Sequence, residues 1–127
     1  LDGALVLKNG ASLVQARRWS GTDNQSYGWL WWLNGGASFR TPGPYLLPTQ
    51  TGALVPAAPA VLMAALGKDD KKLYLVPSRD LVVVRLGERA PTSGSVSPAA
   101  VSAFDNALYT RLSAALRQAT DPGRAGA

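Results

Sequence analysis

MAALGKDDKKLYLVPSRDLVVVRL, residues Met63 to Leu86, holds two apolar runs joined by a tight turn, with a third run leading into them. Leu73 to Val76 and Leu81 to Leu86 are rich in β-branched and large aliphatic residues, and Pro77-Ser78-Arg79-Asp80 between them carries turn chemistry. A strand pair follows from this pattern. Ala60 to Gly67 is the leading run, and Lys68-Asp69-Asp70-Lys71 has the polarity and length of a hairpin loop. Together the three runs predict an antiparallel meander over 60–87. In the last of them Leu81 and Val83 alternate with Val82, Val84 and Leu86, so both faces are apolar and both require cover.

Downstream, 88–97 is a linker of Pro, Thr, Ser and Gly that ends in Ser97-Pro98, an N-cap residue followed by proline at the first helical position. The spacing predicts a helix over 98–119. Val101, Phe104, Leu108, Leu112 and Leu116 recur at intervals of three and four along one face, with Asp105, Arg111 and Arg117 elsewhere around the cylinder.

Upstream, 1–26 reads as the end of a helix, a further helical piece from Ser12 to Arg18, and a polar loop. Tyr27-Gly28-Trp29-Leu30-Trp31-Trp32-Leu33, stopped by Asn34-Gly35-Gly36, reads as an aromatic strand over 27–34. Alternation would put Trp29 and Trp31 on one face and Trp32 on the other. At least two of these rings are expected to pack beneath helices, and one to line a cleft. Residues 35–59 form an excursion interrupted by Pro42, Pro44, Pro48, Pro56 and Pro59. Tyr45, Leu46 and Leu47 are candidates for a binding surface there; the other reading is a loop folded over the sheet by its own apolar side chains. The class expected is α+β, an antiparallel sheet with the C-terminal helix packed on it, forming one partial domain.

Composition narrows the chemistry. The chain has 127 residues, 46% hydrophobic and 17% charged, which is the balance of a globular protein. Cysteine and histidine are both absent, so disulfides, thiolate nucleophiles, Cys/His zinc sites and a histidine base are excluded within it. No cofactor or metal is expected. The net charge of +5 is scattered, with Arg17-Arg18 and Lys71-Lys72 as adjacent pairs, and a nucleic-acid partner is not expected. No run approaches the roughly 18 apolar residues of a membrane span. The chain begins at Leu1 without an initiator methionine, and a processed, trimmed or partial chain is expected.

Taken in order, Tyr27 to Asn34, Ala64-Ala65-Leu66-Gly67-Lys68, Val76-Pro77-Ser78-Arg79-Asp80-Leu81-Val82-Val83-Val84-Arg85-Leu86-Gly87 and Phe104-Asp105-Asn106 resemble the C-terminal part of the serine β-lactamase-like hydrolases. The branch resembled holds the class C β-lactamases, penicillin-binding-protein-like proteins, esterases and 6-aminohexanoate-dimer hydrolases. The likeness runs from about Leu1 to Leu116. It implies an antiparallel sheet between helices, and acyl transfer through a Ser activated by a Lys three residues on, assisted by the Tyr of a Tyr-x-Asn motif. Neither motif occurs here: Ser12, Ser78 and Ser113 lack the Lys, and Tyr27-Gly28-Trp29 departs from the tyrosine motif.

The resemblance places the family's third motif, Lys-Thr-Gly or His-Thr-Gly, at Ala65-Leu66-Gly67, where Gly67 alone is retained. It implies that the N–H of Lys68 is an oxyanion-hole donor beside Gly67, with Ala65, Leu66, Trp31, Trp32 and Tyr45 as substrate contacts. An ordinary hairpin glycine is the other reading of Gly67. Loss of the cationic and hydroxyl side chains favours a neutral ester or amide over a β-lactam carboxylate. The expected partners are a small acyl substrate and a missing N-terminal portion bearing the Ser-x-x-Lys nucleophile, without which this chain is inactive. The resemblance implies a periplasmic or secreted location. A non-catalytic binding or assembly module that keeps the sheet is the alternative.

Overall fold

The computed structural model describes residues 15–19, 21, 24–40, 48–88 and 101–120, with the helical side chains described over 104–118. Tyr45, Leu46, Leu47, Pro98 and the linker over 89–97 lie outside the described residues, as do the first fourteen. The predicted meander is present: β4 (Met63–Leu66), β5 (Lys72–Val76) and β6 (Leu81–Arg85) pair antiparallel in sequence order. β1 (Trp32–Leu33) pairs antiparallel with β4, giving the order β1-β4-β5-β6. A second small sheet joins β2 (Ser38–Phe39) to β3 (Gln50–Thr51), and α1 spans Val101–Thr120. The chain is therefore α+β, with the C-terminal helix packed on an antiparallel sheet.

Register sorts the strands into two faces. Trp32, Ala64, Tyr74 and Val83 stand opposite one another across all four strands, and Leu33, Met63, Leu75 and Val82 form the neighbouring row on the other face. The first face is the inner one. Trp32, Ala64, Tyr74 and Val76 meet Tyr109 of α1 in the core, joined by Phe39, Leu54, Val55 and Leu62, with Leu81, Val83 and Leu108 packed at its margin. Each fully buried aliphatic or aromatic residue of this kind contributes about 1.5–3 kcal/mol.

The aromatic segment folds differently from its alternation. Only Trp32 and Leu33 enter the sheet; Tyr27 bridges back to Trp32, and the Gly28 N–H donates to the Trp31 carbonyl at 2.8 Å, so Trp29-Leu30 is the tip of a narrow turn. Of the three clustered tryptophans only Trp32 is buried, edge-on to Tyr27 with ring centroids 4.9 Å apart. The reason lies at Gly28. A Cβ there would clash with the Ala16 carbonyl oxygen and sit 2.8 Å from that of Arg18, so the backbone turns against 16–18 at a place where no side chain fits.

The described end of the excursion, 48–59, reaches the core. Leu54 and Val55 are fully buried, and the Asn34 side chain ties them in place: its Oδ1 accepts from the Val55 N–H at 2.7 Å, and its Nδ2 donates to the Val55, Ala58 and Pro59 carbonyls at 3.0–3.1 Å. Asn106 of α1 holds the same loop through the Ala57 N–H at 2.7 Å.

The buried line of the helix runs one residue beyond the expected hydrophobic stripe. Asp105, Tyr109 and Ser113, spaced by four, are its buried line, and Leu108, Leu112 and Leu116 flank it half-buried. Asp105, assigned by pattern away from the apolar face, is 0% exposed. Its partners explain that. Lys72 Nζ lies 3.2 Å from both carboxylate oxygens, and the Tyr74 hydroxyl donates to Oδ1.

Candidate functional site

β4 ends at a shallow, solvent-open cleft of about 350 Å³ lined by residues that include Leu30, Ala65, Leu66, Gly67, Val84 and Leu86. The β4–β5 ladder stops at the Leu66–Lys72 pair, and beyond it the Gly67 N–H donates to the Lys71 carbonyl at 2.8 Å while the Lys71 N–H reaches the Lys68 carbonyl at 3.3 Å. These two bonds close the loop, and neither uses the Lys68 N–H. Gly67 itself has φ −101° and ψ 172°, extended backbone open to any residue. The left-handed positions of the turn fall instead on Asp69 and Asp70, both at φ 57°. The turn's geometry therefore gives no reason for glycine at 67.

Of the residues singled out by sequence, Ala65, Leu66 and Gly67 line this cleft together, and Lys68 opens the turn beside them. Trp32 lies in the core on the inner face, and Trp31 is half-buried and outside the cleft lining. Leu30 takes the place expected of a tryptophan. Nothing in the alternation pointed to it, because its position comes from the turn that Gly28 permits.

The cationic side chains at the cleft are all engaged. Lys72 meets Asp105 as described and lies 3.5 Å from Asp70 Oδ1. Arg85 donates to the Asp70 carbonyl and the Glu88 carbonyl, each at 2.7 Å, with its guanidinium 4.9 Å from the Phe104 ring centroid. Lys71 pairs with Asp69 at 3.7 Å across an exposed gap. Burial pushes the Asp105 carboxyl above its ordinary range, against the pull of the Tyr74 hydroxyl and the Lys72 ammonium. The Tyr74 hydroxyl is pushed far up, by burial first and by its bond to Asp105 second. Lys72 and Arg85, which line the cleft, are thus tied to Asp105 and Asp70.

On the outer face the sheet is open. Val82 and Val84 are each 61% exposed and Leu86 78%, next to half-buried Leu73 and Leu75. At the far end of this face a second cavity of about 210 Å³ is bordered by Arg17, Trp19, Leu33, Val61 and Met63. The requirement that both faces of β6 be covered is met on the inner face alone among the described residues.

No protein-family model, characterised protein or solved structure matches this chain.

Proposed function

We propose that this chain is the C-terminal portion of a serine hydrolase of the β-lactamase-like kind, catalysing acyl transfer with ester or amide hydrolysis. It supplies the sheet, the strand end at Gly67 and Lys68, and the pocket wall, while a Ser-x-x-Lys nucleophile is carried by an N-terminal portion seated on the outer face. The observation that carries this reading is the outer face next to the Gly67 cleft, which the described residues leave uncovered. Val82, Val84 and Leu86 stand in water there, and β6, without a proline, is the edge of its sheet. A reaction centre between that face and a covering segment would receive the Lys68 N–H from this side and the nucleophile from the other.

The test is to join this chain to the polypeptide encoded directly upstream of Leu1 and expose the product to a fluorophosphonate probe. The expected result is labelling of a Ser three residues before a Lys in the upstream part, with hydrolysis of p-nitrophenyl esters lost when that Lys is replaced. Absence of any upstream Ser-x-x-Lys, or a joined protein that is neither labelled nor active, removes the proposal. What would then remain is a non-catalytic binding or assembly module using the same face.

A further inference from the structure

We infer that Leu30 sets what the Gly67 cleft accepts, and that the cleft takes a neutral aliphatic acyl chain; the acyl identity rests on the hydrolase reading above. Two observations meet at this residue. Its backbone has φ 64°, an outlier for a side chain bearing a Cβ, in a turn position that Gly or Asn fills without strain. Its side chain is 84% exposed, so burial in the core does not account for leucine there. Strain of this kind persists where the surroundings fix it, and here the tip is held from beneath by the Tyr27–Trp32 bridge and the close seat of Gly28 on 16–18. What the held side chain does contribute is a wall of the cleft, shared with Leu66, Leu73, Val84 and Leu86.

The character of the occupant follows from charge. Lys71, Lys72 and Arg85 are the cations lining the cleft, and each is matched by the acidic or carbonyl oxygens already described. A carboxylate entering would compete with Asp70, Asp105 and the Glu88 carbonyl for Lys72 and Arg85, and with Asp69 for the exposed Lys71. An uncharged acyl chain would lie along the aliphatic side chains of this open depression, with its carbonyl toward the strand end at Gly67.

The experiment is an NMR titration of the isotopically labelled chain with hexanamide, and with sodium hexanoate as the charged counterpart, for the wild type, Leu30→Ala and Leu30→Gly. Hexanamide is expected to shift the Gly67 and Lys68 amides and the Leu30 and Leu86 methyl groups in a saturable manner, with hexanoate binding about tenfold more weakly. Both variants are expected to bind hexanamide about tenfold more weakly than the wild type, since each removes the same wall. Leu30→Gly should nonetheless melt no lower than the wild type, because glycine suits the turn; this separates loss of binding from loss of fold. Unchanged affinity in both variants, equal affinity for hexanoate, or shifts that never saturate would overturn the inference. Saturable, Leu30-dependent binding in a protein with no upstream Ser-x-x-Lys would keep the cleft's ligand class and remove the hydrolase. A labelled upstream serine with unchanged binding in Leu30→Ala would remove only the role given to Leu30.

Discussion

Tyr74 shows how one hydroxyl couples the sheet to the pH of the medium. It is fully buried and donates to Asp105, so its proton is held in the folded chain well above the ordinary value of 10.0. Above that value the unfolded chain gives up the proton and the folded chain keeps it. The unfolded state then binds fewer protons, and stability falls as pH rises, by about 1.4 kcal/mol per pH unit for this one group. Tyr74→Phe should flatten that part of the alkaline stability curve, measured by urea unfolding between pH 9 and 11 against the wild type; parallel curves would refute the assignment. The turn at Asp69 supplies a second residue-scale test. A left-handed φ of 57° favours glycine over a residue with a Cβ, and the ion pair of Asp69 with Lys71 is an exposed one of small worth. Asp69→Gly is therefore expected to stabilise the chain by about 0.5–1 kcal/mol in the same assay. A loss of stability would mean that Asp69 makes a contribution its exposed pairing does not reveal.

Between elements, the interface of α1 with the sheet shows most clearly what could be read in the sequence and what could not. The meander was legible because β-branched runs, turn residues and loop lengths agree over 60–87, and the helix because its apolar spacing is regular. Asp105 was not, since a lone acid in an amphipathic helix reads as solvated until Lys72 and Tyr74 are known to face it from β5. The same limit applies at Trp29 and Leu30, where alternation implied a strand and the close approach at Gly28 made a turn. Asn34 was read only as a stop signal, although its amide is the buried clasp of the 54–59 loop. Removing one member of the Lys72–Asp105 pair leaves the other buried without its nearest partner, so Lys72→Met or Asp105→Leu alone should cost about 3–5 kcal/mol, while the two combined should lie much closer to the wild type. Thermal melts of the two single variants and the double variant measure the coupling. Additive losses would show that the pair does not act as a unit.

For the whole molecule, the decisive contrast is between two valines one residue apart on β6. Val83 packs half-buried at the margin of the core, whereas Val84 is 61% exposed on the outer face. In the isolated chain Val83→Asp sets a carboxylate against the margin of the apolar core and should lower stability by about 1–3 kcal/mol. Val84→Asp exchanges one solvated side chain for another and should change stability by no more than about 0.5 kcal/mol. Their effects on association should be reversed in kind. If the outer face is the seat of an upstream portion, Val84→Asp leaves a folded chain that no longer joins it, because a charge buried in an apolar interface without a partner costs several kcal/mol. The measurement is co-purification and sedimentation of the two portions expressed as separate polypeptides, with ester hydrolysis followed in parallel; the isolated chain, whose sequence has no Ser-x-x-Lys, should show none above background. Unimpaired assembly and activity in Val84→Asp would mean that this face stays in water in the complete protein. The bare strand would then be an edge protected in some other way, and the argument that joins the cleft at Gly67 to a nucleophile across the outer face would fail with it.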